Sequence, residues 1–340
     1  MITISGSPVP MKTPTSASVS SAEQPPAESA ALAPSETSVQ TSSQRDIFAA
    51  DHDPTKDGRP LPPPGYRGID PAPTPLIHKA VTAVCAGAGL WTLTNIATQI
   101  AGLPAAGAAL AVAGSAAAAT AAWALTDAGS GAFHFLVDNY GSPKTPVVGK
   151  MIREFQEHHV KPWDLEEVSV WSNCAQAGQV LGPALLAVAY ANPHYLVQAA
   201  ALSVLTAGYF AQASHRWAHM GERVAKPVKM LQNVGVFQNK KAHDAHHAQP
   251  VGTYCIVNGM ANPLLDRLNV WRKAEYVIHK ATGVEPNTWF DPEIKKKALG
   301  QSTPAEYLDP VKRQEGRRAF WKGMLTKIDA WRADDKPKAE

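Results

Sequence analysis

Histidines gather at four places in this sequence, at spacings that suit metal binding. The densest place is AHDAHH, where His243 precedes His246 by three residues and His247 by four. Residues three or four apart lie on one face of an α-helix, so two such imidazoles can converge on one ion, as in the HExxH zinc motif. Eight of the 12 histidines occur at the four places. They are His134, His158, His159, His215, His219, His243, His246 and His247.

The other three motifs repeat or complement this pattern. SHRWAH has the four-residue spacing again, and QEHHV has two adjacent histidines. In HFLVD, His134 lies four residues before Asp138, which puts a carboxyl group on the same helical face if the chain is helical there. The remaining histidines each stand alone, and we assign no function to His52, His78, His194 and His279.

The types of ligand narrow the choice of metal. No motif contains the thiolates of a structural zinc site, and the cysteines Cys85, Cys174 and Cys255 are too scattered to form one. Eight imidazoles exceed the four ligands of one tetrahedral zinc, so we expect two metal ions. Imidazole suits iron, zinc and copper alike. The residues alone therefore leave two chemistries open, oxygen activation by iron on lipid chains and hydrolysis by zinc.

Four apolar stretches must position these motifs. They cover residues 76–100, 103–126, 174–191 and 194–213. Each is close to the length of a helix that crosses the hydrocarbon of a bilayer, and its Ala and Gly residues allow close helix packing in lipid. Connectors of only a few residues predict two helical hairpins. A soluble bundle of buried, Ala-rich helices is the alternative.

Positive charges lie on one side of these hairpins. The connectors near 101–103 and 191–194 contain no Lys or Arg, whereas the segments at the opposite ends are rich in both. By the positive-inside rule, both hairpins enter the membrane from the cytoplasm. We therefore predict an all-α, integral membrane protein with four transmembrane helices in two hairpins and a cytoplasmic, histidine-rich helical cap.

The two ends of the chain differ in composition from this part. Residues 1–75 contain 14 of the 28 prolines together with long Ser/Thr/Ala runs, so we predict a disordered tail, and it lacks the features of a secretory signal. Residues 291–340 form a basic, amphipathic extension. Phe320, Met324, Ile328 and Trp331 recur there at helical spacing, which fits either a membrane-surface helix or a helix packed on the body of the protein. The net charge of +3 is too small to indicate a nucleic-acid partner.

Taken together, the motifs resemble those of one family. DAGSGAFHFLVDNYGSPKTPVVG, FQEHHVKPW, SHRWAHMG and NKKAHDAHHAQPVGTYCIVNGMANPLLD are similar, in order and separation, to the motifs of the Kua/CarF-type membrane lipid desaturases. That family includes plasmanylethanolamine desaturase, which makes the vinyl ether of plasmalogens. It also includes the plant chloroplast desaturase that puts a trans-3 double bond into palmitate on phosphatidylglycerol.

The resemblance implies an O2-dependent lipid desaturase domain over residues 76–290. It implies two iron ions bound by the eight histidines, with Asp138 at the family's essential acidic position, as a ligand or as a group that orients one. It also implies a membrane glycerolipid substrate and an external electron donor such as cytochrome b5 or ferredoxin. Asn173 and Asn262 match recurring asparagines, for which a structural role is an equally good explanation. The family usually has His-Trp where this chain has His134 and Phe135, a difference expected to change packing and leave ligation intact.

Two other functions fit the same residues. A di-iron lipid hydroxylase would use the same ligands and return an oxygen atom to the chain. A non-catalytic membrane protein with a structural or regulatory metal site would leave lipids unchanged. The histidine motifs alone do not separate these possibilities.

Overall fold

The computed structural model describes residues 54–335, and this part of the chain is helical without any β-strand. The helices are joined by turns, by three short 3-10 helices and by one long irregular loop at 249–261. The α-helices are α1 (Pro54–Asp57), α2 (Leu76–Ala101), α3 (Ala105–Asn139), α4 (Gly149–Val160), α5 (Val170–Ala191), α6 (Tyr195–Met220), α7 (Lys226–Asn233), α8 (Lys240–Ala248), α9 (Asn262–Arg267), α10 (Val270–Thr282), α11 (Pro292–Ala298), α12 (Pro304–Leu308) and α13 (Pro310–Asp334).

Four of these helices, α2, α3, α5 and α6, are long and apolar enough to cross a membrane. Each contains or closely matches one predicted span. However, α3 and α6 continue well beyond the predicted ends of their spans at 126 and 213, because no proline interrupts either continuation. This extra length carries the HFLVD and SHRWAH motifs out of the apolar part of each helix.

The long helices pair only in part as the short connectors predict. The most extensive contacts join α2 to α5, α3 to α6 and α5 to α6, whereas α2 and its sequence neighbour α3 touch only slightly. Polar side chains fix these pairings: Asn95 Nδ2 donates to the carbonyl of Ala189 (2.7 Å), and Ser203 Oγ donates to the carbonyl of Ala119 (2.6 Å). The first hairpin is therefore held together largely through the second one.

Local signals account for the tight connections. The side chain of Ser169 caps α5 by accepting the N–H of Ser172 (3.2 Å). Asn192 ends the same helix in the left-handed region, at φ 45°, a conformation that asparagine tolerates well. His194 then caps α6, so that only three residues separate α5 from α6.

The C-terminal helix α13 packs against the body of the protein. Phe320, Met324 and Ile328 are at most 1% exposed and form a cluster with Val160 at the end of α4. Of the two alternatives for this extension, the structure therefore has the packed helix. Its apolar face is already covered, which removes the reason for that face to lie on a membrane.

The predicted N-terminal tail falls largely outside the described residues, and its disorder stays a prediction. The part within them, residues 54–75, has the short helix α1 and otherwise no regular secondary structure. It contacts the domain: Asp57 forms a buried ion pair with Arg317 on α13 (3.0 Å), and the N–H of Ala72 donates to the carbonyl of Glu167 (2.9 Å).

The position of Trp321 makes α13 a support for α8. Trp321 is fully buried, and its Nε1 donates to the carbonyl of Ala248, the residue after His247 (3.3 Å). We expect Trp321→Ala to remove about 3–5 kcal/mol of unfolding free energy, since it opens a large cavity and leaves a buried carbonyl without its donor. The measurement is the thermal unfolding midpoint of the purified protein in detergent.

Trp91 provides the matched control, because it is 45% exposed on the outer face of α2. Trp91→Ala should move the midpoint little. Equal small shifts for the two variants would show that α13 does not stabilise the domain.

Candidate metal centre

All eight histidines of the four motifs, together with Asp138, meet in one place. Four helices supply them: α3 carries His134 and Asp138, and the remaining ligand candidates lie on α4, α6 and α8. The side chain of Asn239 caps α8 by accepting the N–H of Ala242, so this helix begins at Lys240. The three histidines of α8 are buried. The helical spacings of three and four residues therefore have the predicted effect of aligning imidazoles on one face.

The nine side chains form two groups that adjoin each other. Within each group the candidate ligand atoms all lie within 4.8 Å of one another. The two groups touch through His159 and His247, whose ring centroids are 4.6 Å apart. The first group is His158, His215, His219, His243 and His247, and the second is His134, Asp138, His159 and His246.

In the first group the ring nitrogens point at one another. His158 Nε2 lies 3.1 Å from His215 Nε2 and 2.9 Å from His219 Nε2, and the last two are 3.3 Å apart. A neutral imidazole carries one N–H, so three nitrogens in a triangle cannot all be satisfied by hydrogen bonds among themselves. Ligands about 2.0–2.1 Å from one ion and at right angles to each other are roughly 3 Å apart. The observed spacing therefore fits a shared cation.

In the second group three imidazoles surround one carboxylate oxygen. Asp138 Oδ2 lies 3.1 Å from His134 Nε2, 3.0 Å from His159 Nε2 and 3.5 Å from His246 Nε2. None of these four atoms has a hydrogen-bond partner within the described part of the chain, although all are buried. Such a cluster of buried polar atoms without hydrogen-bond partners is the environment expected of a cation site.

Backbone carbonyls determine which ring nitrogens can bind the ion. His134 Nδ1 donates to the carbonyl of Tyr254 (2.9 Å), and His246 Nδ1 donates to the carbonyl of Gly252 (2.8 Å). Since a carbonyl only accepts, the proton must be on Nδ1, and the lone pair of Nε2 faces Asp138. Lone pairs that face a carboxylate repel it unless a cation lies between them. This is the usual orientation of a metal-binding histidine.

Burial favours the uncharged form of four imidazoles on α4 and α8. It is the largest cause that lowers the pKa of His158, His243 and His247 well below the usual range, and neighbouring imidazoles lower the pKa of each further. Burial also lowers the pKa of His246, although Asp138 opposes the shift. The neutral form of imidazole is the one that binds metals, so these four side chains can bind cations at neutral pH.

The loop at 249–261 is a second component of the centre that spacing rules did not find. It is largely buried and has no secondary structure, so its backbone groups need side-chain partners. Asp127 on α3 provides three: its carboxylate accepts the N–H groups of Asn258 (3.1 Å), Gly259 (3.0 Å) and Ala261 (3.0 Å). The loop so held presents the Tyr254 and Gly252 carbonyls to the histidines.

Three further side chains complete this support. Ser130 Oγ accepts the N–H of Ile256 (3.1 Å), and Ser214 Oγ donates to the carbonyl of Val257 (2.6 Å). Asn262 Oδ1 accepts the N–H of Cys255 (2.9 Å), and its Nδ2 donates to the carbonyl of Cys255 (3.2 Å). This asparagine therefore has a structural role. In the sequence, Asp127 stands out only as a lone carboxylate next to an apolar stretch. Charged residues in such places usually have a structural or functional role.

The isolated histidines and Phe135 were also singled out in the sequence. His78 Nδ1 lies 3.0 Å from Ser172 Oγ, and the ring of His279 lies against Trp289, so neither belongs to the two groups. His52 lies outside the described residues. Phe135 packs in an aromatic cluster with Tyr254 and Trp271, on the side of α3 that supports the loop. Phe135 thus contributes to the packing of this cluster.

Comparison with known proteins agrees with this geometry. Residues 123–289, which include all nine side chains, match the lipid desaturase domain family. The Arabidopsis thaliana protein named fatty acid desaturase 4, chloroplastic, is 36% identical over 178 residues, which is 51% of this chain and 54% of that protein.

Proteins with a second name also match this chain. Plasmanylethanolamine desaturase 1 of Mus musculus is 32% identical over 168 residues, or 46% of this chain and 62% of the relative. Plasmanylethanolamine desaturase of Myxococcus xanthus is 33% identical over 165 residues, or 46% of this chain and 58% of the relative. The chain thus spans little more than half the length of these relatives. No solved structure matches it.

The existence of two ligand groups predicts how much metal the purified protein holds. We expect about two transition-metal ions per chain, and a loss of about one of them in His247→Ala, since five imidazoles converge in its group. Elemental mass spectrometry of purified protein measures the content. His194→Ala is the control, because His194 caps α6 away from both groups. Wild-type metal content in His247→Ala would contradict the ligand assignment.

Asp127 offers a separate test of the loop. In Asp127→Asn, an amide group would face three N–H donors with only one oxygen, so at least one backbone donor would lose its acceptor. We expect a loss of about 1–3 kcal/mol of unfolding free energy, together with a lower metal content. Asp244→Asn is the matched control on α8, where the carboxylate pairs with Lys240 at the surface. If the control were as damaging as Asp127→Asn, the support role would be wrong.

Proposed function

We propose that this chain is an O2-dependent, di-iron desaturase that introduces a double bond into one chain of a membrane glycerolipid. The observation that carries the proposal is the pair of adjoining ligand groups, with eight imidazoles and one carboxylate, at the ends of membrane-length helices. The match to the lipid desaturase domain family supports the same assignment.

The ligand set favours iron over zinc. Five imidazoles converge in the first group, which is more than a tetrahedral zinc site uses. Iron accepts imidazole together with carboxylate and takes higher coordination numbers, which suits both groups. Asp138 is proposed as a ligand in the second group, since its Oδ2 faces the Nε2 atoms of three histidines.

The two irons would supply the oxidising power needed to remove hydrogen from an unactivated C–H bond, which side chains alone cannot do. The protein's contribution is positioning and exclusion of water. His134 and His246 are held by backbone carbonyls, so their ring planes are fixed before any substrate arrives. His158 is only partly buried and lies beside a cavity, which gives a lipid chain a way to the centre.

The distribution of charged residues supports one arrangement in the cell. We propose that the long helices span a bilayer and that the histidine motifs lie on its cytoplasmic side, because Lys and Arg residues gather at that end. Reducing equivalents would come from a separate protein such as a cytochrome b5 or a ferredoxin. Both the electron donor and the lipid headgroup would then meet the enzyme at the membrane surface.

The names of the relatives define the substrate candidates. One group is named for fatty acid desaturation and the other for plasmanylethanolamine desaturation. We propose a substrate from one of these two types: an acyl chain of a phospholipid such as phosphatidylglycerol, or the alkyl chain of an ether lipid, whose desaturation gives the vinyl ether of a plasmalogen.

Lipid mass spectrometry of an expressing host tests this function. The host should make phosphatidylglycerol and receive an alkylglycerol, so that both candidate substrates are present. We expect a lipid that has lost two hydrogen atoms, either a trans-monounsaturated phosphatidylglycerol or an acid-labile vinyl ether, and no such product with His247→Ala.

Other results would lead to different conclusions. A product that has gained one oxygen atom would make the protein a hydroxylase. Unchanged lipids in a host whose purified protein contains iron and whose electron donors are supplied would contradict the proposed function.

A further inference from the structure

A cavity of about 300 Å³ opens directly beside the first ligand group. His158 and His215 form part of its wall, so a molecule inside it would touch two candidate iron ligands. Phe155, Leu165 and Val168 give the cavity an apolar side, and amide side chains of α5 and α6 give it a polar one. Such an amphipathic lining suits the junction between the apolar chain and the polar part of a lipid.

Asn173 is the unusual residue of this lining. It is 5% exposed, and its Nδ2 has no hydrogen-bond partner within the described residues. By contrast, Asn262 is buried to a similar degree and has backbone partners for both ends of its amide group. A buried donor without an acceptor is costly to stability, so one that is present in a cavity wall points to an acceptor that enters the cavity.

The charges around the cavity indicate what kind of acceptor this is. Three carboxylates line it, those of Glu154, Glu157 and Asp164, and no Lys or Arg is part of the lining. Each carboxylate is paired with a basic side chain outside the lining, that of Lys150, Arg153 or Lys161, so an anionic phosphate group would find no cationic partner in the cavity wall. An uncharged oxygen, such as that of an ether or an ester, needs no such partner and can accept the amide hydrogen.

We propose that Asn173 Nδ2 donates a hydrogen bond to the uncharged linkage oxygen that joins the reacting chain to glycerol. Asn173 is thus a positioning residue that sets the first carbons of the chain beside His158 and His215. The inference rests on the proposed desaturase function, and it adds the part of the lipid that the enzyme holds.

A double cycle of protein and ligand changes tests the hydrogen bond. The probes are a 1-O-hexadecyl phosphatidylethanolamine and its analogue with a methylene group in place of the ether oxygen, each in nanodiscs. Binding to the iron-loaded protein is measured without O2, so that no turnover occurs. Wild-type protein should bind the ether about tenfold more tightly than the analogue, and Asn173→Leu should bind both equally, with its iron content unchanged.

Two further variants keep the result interpretable. Asn95→Leu is the control, because Asn95 bonds α2 to α5 far from the cavity, and it should preserve the preference for the ether. Asn173→Asp keeps the shape of the side chain and removes the donor hydrogens, so it should lose the preference even if the leucine variant does not fold.

The outcomes separate this inference from the proposed function. Wild-type preference for the ether in both Asn173 variants would overturn the inference, as would loss of iron from them, which would make Asn173 a support of the metal centre. Either result would leave the desaturase function intact if wild-type protein still forms an unsaturated lipid. Absence of any unsaturated product would instead refute the proposed function.

Discussion

The structure depends on one electrostatic requirement, that buried lone pairs facing each other must share a cation. Asp138 and the Nε2 atoms of His134 and His246 point at one another inside the protein without a hydrogen between them. Burial also lowers the pKa of His246 and His247, which favours their neutral form, so these two rings are poor sources of the positive charge. Without ions this interior would be unfavourable. With them, the same atoms would connect four helices through shared ions.

The rest of the domain can be understood as the means of meeting this requirement at a membrane. The long helices α3 and α6 carry ligands beyond the apolar spans, and α13 supports α8 from the other side through Trp321. The loop at 249–261 is as important as the helices, because its carbonyls fix the orientation of His134 and His246. Asp127 holds that loop through three N–H groups.

The sequence predicts the local part of this arrangement well. Helical spacing identifies the candidate ligands, and the apolar stretches identify four helices that could span a membrane. Spacing could not predict that α2 pairs with α5 across the hairpins, since this depends on contacts between residues about 94 positions apart, as for Asn95 and Ala189. Nor could it predict the loop, whose hydrogen bonds join Asp127 and Ser130 to residues more than 120 positions away. The proposed role of Asn173 could not be predicted either, because it depends on the cavity that this residue lines.

The proposed function requires that imidazole-bound iron occupies the two ligand groups. X-ray absorption at the iron edge of the purified, active protein is the decisive measurement, because the spectrum reports the atoms around the metal. We expect a first shell of nitrogen and oxygen at about 2.0–2.2 Å, with the outer-shell scattering of several imidazole rings. Sulfur in the first shell, or the absence of imidazole scattering, would contradict it.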